Sequence, residues 1–300
     1  MYFLLGKICS DRYFQNHDNP MNLISVVIPA HNRSESALRA VNSVLRQTYT
    51  NLEVILVDDG STDCTSADLS GLHDSRVVLL KQENQGVSSA RNLGIERSAG
   101  DFIALLDSDD VWQKDKLQKQ MDFMRKGGWE IAQTGETWIR RGKRVNPKIR
   151  HAKRAGWIFA PSLELCLVSP SCVMFTRSCW EQVGPFDPGL PACEDYDLWL
   201  RCSLFYPVGL VPGELVYKYG GHSDQLSRKI IGLDLYRIYS LCKLLADFDL
   251  TREQNFLAFS ELKSKLRVYI QGCVKRGKQE EAQRIREYVL VRLNLGELDL

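Results

Sequence analysis

Three carboxylates stand within four residues at the end of an apolar run in "FIALLDSDDVW": Asp107, Asp109 and Asp110. A second apolar run, "LEVILVDDGSTD", ends in Asp58, Asp59 and Asp63. Crowded carboxylates repel one another, so each favours water or a cation. With no His or Cys beside them, the first group suits a hard divalent ion with oxygen ligands, Mg²⁺ or Mn²⁺. A helix cap is the plainer use of an Asp pair at such a place, and turn chemistry alone accounts for Asp59-Gly60. Two acidic strand ends in one sheet nevertheless frame one crevice. A carboxylate there can accept a hydrogen bond from a pyrimidine ring N–H, while the other group holds a metal against a diphosphate.

The elements that must carry these acids are legible around them. "LISVVIPA" is almost continuously apolar and rich in β-branched residues, which predicts a strand buried on both faces. Ser34 is placed to cap a helix whose Ala37, Leu38, Val41, Val44 and Leu45 follow helical spacing. "RVVLLKQ" predicts a third strand, "GVSSARNLGIERSAG" a helix closed by Gly100, "DFIALLDSDD" a fourth strand, and 114–125 a helix stopped by Gly127 and Gly128. Such alternation implies right-handed crossovers and a mainly parallel sheet, whose ligands bind beyond the carboxyl ends of its strands. The acids lie there. Beyond them, "WEIAQTGETWIR", "SCVMFTR" and "VGLVPGELVYKY" read as strands, "CEDYDLWLRCSLF" as a helix, and everything from Ile230 as helical. The expected organisation is a loose arm over 1–21, an α/β module over 22–229 and a helical extension over 230–300.

Composition narrows the classes. A chain of 300 residues with a formal charge of +2 can bury a large core but has no overall basicity of the kind a nucleic-acid binder uses. Nine cysteines, an odd number without C-x-x-C spacing, suggest a reduced, cytoplasmic setting. No apolar segment approaches the roughly 20 residues that span a bilayer, and the first twenty residues are too polar for a signal peptide, with Met21 an alternative start. The basic stretch from Arg140 to Arg154 reads equally as a solvated loop or as a contact for an anionic acceptor or the inner face of a membrane. Trp112 and Trp157 have the flat faces that stack on sugars, whereas Trp199 belongs to an amphipathic helix and reads as core.

In order and spacing, "SVVIPAHNR", "VDDGSTD", "GVSSARNLGI", "FIALLDSDD" and "CEDYDLWLR" resemble glycosyltransferase family 2 over residues 24–228. The resemblance implies a GT-A fold, a Rossmann-like mainly parallel sheet flanked by helices. It also implies metal-dependent transfer of a sugar, with inversion, from a nucleotide-diphosphate donor, most often UDP-linked, to a glycan or lipid-linked acceptor. Carried over by position, Asp59 matches the acid that contacts the base, and Pro29, Ala30 and Asn32 the strand end beside it. Arg91 matches a basic position near the donor. Asp107 and Asp109 match the D-x-D acids, with Asp109 the expected direct metal ligand and Asp110 assigned to the following helix. Asp195, with Glu194 beside it, matches the general base, although on spacing alone a charged first helical turn is the better reason for acids there. His222 is expected to reach the metal or diphosphate from a glycine-flanked loop, and Asp224, Gln225 and Arg228 to help order that loop. Two other readings stay open: a nucleotidyltransferase, which would be expected to show a glycine-rich basic loop where this chain has "PAHNRSES", and a nucleotide-sugar-binding protein without turnover.

Overall fold

The first apolar run becomes β1 (Ile24–Ala30), buried along its whole length. The computed structural model describes residues 22–146, 148–221 and 230–296. β1 lies between β2 (Leu52–Asp59) and β4 (Phe102–Leu105) and runs parallel to both; β3 (Val77–Gln82) extends the sheet beyond β2. On the far side of β4 the direction reverses at β8 (Val173–Thr176). Then come β6 (Ile131–Arg140), β9 (Gly209–Gly220) and the two-residue β5 (Val111–Trp112), while β7 (Lys143–Val145) folds back on β6. The strand order is β3-β2-β1-β4-β8-β6-β9-β5. This is the α/β, mainly parallel sheet expected; the antiparallel β8 inside it was not foreseen.

Side chains alternate across a strand, and the two cores follow that period. Ile24, Val26 and Ile28 face α1 (Ser34–Leu45) and α4 (Lys116–Gly127), meeting Val41, Val44, Leu117 and Met121. Val27 and Ile55 face the other layer, where α3 (Gly86–Glu96), α6 (Arg177–Val183) and α7 (Glu194–Phe205) contribute Ile95, Val183 and Trp199. Each such residue contributes about 1.5–3 kcal/mol by leaving water. Gly94 is required here: a Cβ at that position would lie 2.4 Å from Val27 Cγ1, so only glycine lets α3 rest this close to the sheet.

A third core joins the C-terminal helices α8 (Asp234–Asp247), α9 (Arg252–Lys275) and α10 (Gln279–Leu293) to the rest. Ile238, Leu262 and Ile285 pack with Leu163 of α5 (Phe159–Glu164) and with Tyr196 and Leu200 of α7. α9 opens with a capping box between Thr251 and Gln254. Two expected caps are absent. Ser34 is already inside α1 and donates to Asp68 of α2 (Thr65–Ser70) instead, and Asp110 lies well before α4, whose cap residue is Asp115. No helix among the described residues is long and apolar enough to cross a membrane.

Candidate active site

Asp59 ends β2 where the chain turns at Gly60, whose φ of +70° and absent side chain admit the backbone of Asn84; a Cβ would lie 2.5 Å from its nitrogen. That close approach lets Asp59 accept hydrogen bonds from Gln82 Nε2 (2.6 Å) and from the backbone N–H groups of Gln85 and Gly86 (2.9 Å each). A carboxylate has about four acceptor sites, so one remains for a ligand. His31 and Asn84 both donate to the Asp59 carbonyl. Pro29 and Ala30 line the same cleft at the end of β1. Asn32 does not: in a left-handed conformation, φ +52°, it holds the Ser61–Thr62 turn from outside the cleft, while His31 takes the lining position.

Arg91, on α3, is the centre of the site. Its Nη1 donates to Glu194 Oε1 and its Nη2 to Asp107 Oδ1, each at 2.8 Å, and the guanidinium lies over the Phe186 ring. Burial works against the charge, but Asp107 and Glu194 together hold its pKa above the usual value. Asp109 faces Arg33 at 3.6 Å. Burial, and then the charge of Asp107, push the Asp109 pKa up. Asp110 is fully buried, its pKa raised well above the usual range by desolvation, and it accepts from Ser171 Oγ (2.6 Å) and the Tyr219 backbone N–H (3.0 Å). The same Ser171 hydroxyl accepts from the Asp107 N–H, and its carbonyl accepts from Trp112 Nε1. Trp112 is thus a buried pin for the acidic segment, Trp199 is core as expected, and Trp157 is exposed and lies outside the cleft lining.

The opposite wall is the start of α7. Cys193 adopts φ +61°, a conformation that costs about 1–2 kcal/mol for a non-glycine residue, and so turns the chain to present Glu194 and Asp195 at the cleft. Three acids in this first turn also complement the helix dipole. The two carboxylates differ in setting. Glu194 is buried and committed to Arg91, with burial and the neighbouring Asp195 raising its pKa. Asp195 is half-buried, accepts its neighbour's N–H (Tyr196, 2.7 Å) and faces the cleft.

The cleft has a volume of about 560 Å³ and collects Asp59, Arg91, Asp107, Asp109, Glu194 and Asp195 from four separate segments. It also collects residues that sequence reasoning missed: Arg33, Lys218 of β9, and Leu233 and Arg237 from the C-terminal region. Burial opposes the charge on Lys218, yet Glu136, Asp110 and Asp107 hold its pKa above the usual value. One lysine near the end of a strand gives no local signal, although Lys218 lies two residues before Gly220. His222, Asp224, Gln225 and Arg228 lie outside the described residues.

The donor set can be tested against a hard divalent ion. Among the described residues no three His, Cys, Asp or Glu side chains enclose a metal position. Mg²⁺-type sites commonly take only one or two carboxylates and complete their shell with water and substrate phosphates. Asp107 and Asp109 meet that lesser requirement: both line the cleft, and burial, with the charge of Asp107 second, disfavours the Asp109 carboxylate in a way that a bound cation would offset.

The sequence profile of Glycosyl transferase family 2 matches residues 25–181. The chain belongs to that family. It is 33% identical over 194 residues to a Rickettsia conorii protein named as a glycosyltransferase, covering 64% of this chain and 32% of that one; the chain spans about a third of that relative's length. It is 35% identical over 182 residues to the Bacillus subtilis putative teichuronic acid biosynthesis glycosyltransferase TuaG, covering 59% and 71% of the two chains. It is 34% identical over 187 residues to Escherichia coli WfgD, a UDP-Glc:alpha-D-GlcNAc-diphosphoundecaprenol beta-1,3-glucosyltransferase, covering 59% and 68%. Two solved structures among those it resembles share the GT-A fold. S. aureus TarS with UDP-GlcNAc has a TM-score of 0.63 at 14% identity, over 91% of this chain and 93% of that one. The mannosyltransferase PcManGT from Pyrobaculum calidifontis, with GDP-Man and Mn²⁺, has a TM-score of 0.61 at 14% identity, over 90% and 83%.

Proposed function

We propose that this protein transfers a sugar, with inversion, from a UDP-sugar to a hydroxyl of a lipid-linked or glycan acceptor in assembly of a cell-envelope glycan. The observation that carries the reading is the meeting of Asp59, Asp107, Asp109 and Asp195 around one cleft at the carboxyl ends of the parallel strands. Asp59, held by Gln82, Gln85 and Gly86, offers its remaining acceptor site to the uracil N–H. Asp107 and Asp109 would hold Mg²⁺ or Mn²⁺, which supplies positive charge to the donor diphosphate. Arg91 fixes Asp107 against Glu194, so the donor and acceptor walls keep their spacing. Glu194 is a positioning residue. Asp195 accepts the proton of the acceptor hydroxyl as its oxygen bonds to the anomeric carbon; the bond from that carbon to the diphosphate breaks, and the nucleoside diphosphate leaves. The UDP ligands of TarS and the undecaprenyl acceptor in the WfgD name support the choice of donor and acceptor class.

Calorimetric titration of UDP, GDP and dTDP with and without Mn²⁺ tests the donor site. UDP is expected to bind, tightly only with the metal. The Asp195→Asn variant is expected to bind UDP as the parent does and to lose transfer by at least about 100-fold, the scale of general-base catalysis. Transfer at the parent rate in that variant would remove Asp195 from the mechanism.

A further inference from the structure

β6 and β7 form a tight hairpin beside the cleft. Its two-residue turn, Arg141 (φ +51°) and Gly142 (φ +72°), is left-handed at both positions, the geometry that matches strand twist, and it pairs Arg140 with Lys143. A 3₁₀ turn at Ile149–His151 lies against this hairpin: the His151 ring is 5.5 Å from that of Trp138, and the Arg140 guanidinium is 5.4 Å over the same indole. The hairpin and the turn carry Arg140, Arg141, Lys143, Lys148 and Arg150, all exposed, and Ile149, which is 93% exposed, while Arg144 is paired with Glu214 at 2.9 Å. The stretch from Arg140 to Arg154 contains no acid, in a chain whose net charge is only +2.

The cluster is fixed to the cleft wall. Arg140 pairs in register with Gly220, the residue after the cleft-lining Tyr219. At the inner end, Lys153 reaches Glu136 at 3.6 Å and Ser169 Oγ at 2.7 Å, and the same Ser169 accepts from Lys218. We propose that this hairpin and turn seat the protein on an anionic bilayer, holding the rim of the cleft toward the headgroups. Charge complementarity names the occupant. An exposed isoleucine between Lys148 and Arg150, in a turn packed on a cationic hairpin, matches a surface that is negative outside and apolar beneath, whereas a soluble polyanion would leave Ile149 without a use. The seating explains how a membrane-held acceptor would meet the cleft, and to that extent it rests on the functional reading above.

The test is co-sedimentation of the full chain with vesicles of 70% phosphatidylcholine and 30% phosphatidylglycerol, and with pure phosphatidylcholine, in 0.1 M and 0.5 M salt. Binding is expected only to the anionic vesicles, and weaker in high salt. Each cation is worth about fivefold in partition, so the Arg140→Gln/Lys143→Gln/Arg150→Gln variant is expected to bind about 100-fold more weakly. Ile149→Ser is expected to lose about tenfold, the scale of burying one isoleucine side chain in part. Neither change should move the thermal midpoint or UDP binding in solution. Equal partition of the variants and the parent, equal binding to both vesicle types, or displacement from vesicles by an equal concentration of polyphosphate would overturn the proposal. Failure to bind UDP with vesicle binding intact would sink the functional reading and leave the docking surface standing.

Discussion

Lys116 is completely buried, with its ammonium nitrogen 3.7 Å from the centre of the Trp112 ring and no hydrogen-bond partner among the described residues. Burial lowers its pKa from 10.5 to about 7; the titratable neighbour is Cys172, whose thiol burial pushes up to about 12. The shift corresponds to about 5 kcal/mol, and the Trp112 face returns at most about 2 kcal/mol to the charged form. Desolvation therefore wins. Between pH 7 and 10.5 the unfolded chain carries a proton that the folded chain lacks, so stability rises with pH across that window. Lys116→Met keeps the volume and removes the titration. The variant is expected to be more stable by about 2–4 kcal/mol at pH 7.5, and the difference should narrow by about 2 kcal/mol by pH 9.5. Urea unfolding of both proteins at pH 7.5, 8.5 and 9.5 measures this directly. A difference that stays constant across the series would refute the argument, because only a group titrating differently in the two states can make it change.

Two further outcomes follow from the packing. Arg91→Lys leaves a point charge where a fork spans two carboxylates, so one of Asp107 and Glu194 loses its partner; turnover should fall at least tenfold and stability by about 1–3 kcal/mol, and single-turnover donor consumption with a parallel melt will show whether both move. Gly94→Ala forces a methyl into Val27 and should cost about 1–3 kcal/mol, read as a lowered thermal midpoint; an unchanged midpoint would mean that α3 shifts freely.

The strands could be read from the sequence because a doubly covered strand must be almost wholly apolar, as β1 is except at Ser25, whose hydroxyl donates to Glu53. Their acidic ends were legible for the same reason, since three carboxylates have no place inside such a run. Partners across the fold were not legible. Arg91 and Glu194 are 103 positions apart, and only the crossover topology brings them to 2.8 Å. Ser34 and Asp110 looked like caps because cap chemistry is short-range; tertiary partners, Asp68 for one and Ser171 with Tyr219 for the other, claimed them instead. Lys218 is one basic residue in a strand and announces nothing until Glu136 and Asp110 stand beside it.

The flank of α7 has a bearing on how this enzyme should be handled. Tyr196, one residue past Asp195, packs into the core shared with the C-terminal helices, with Arg237 of α8 over its ring at 5.9 Å, and Lys243 of α8 reaches Asp197 at 3.0 Å. A protein shortened at residue 229 to obtain a minimal transferase would open this flank to water and release the turn that aims Asp195. Kinetics of such a fragment would describe a loosened cleft wall, and a low rate from it would say nothing about the residues that touch substrate.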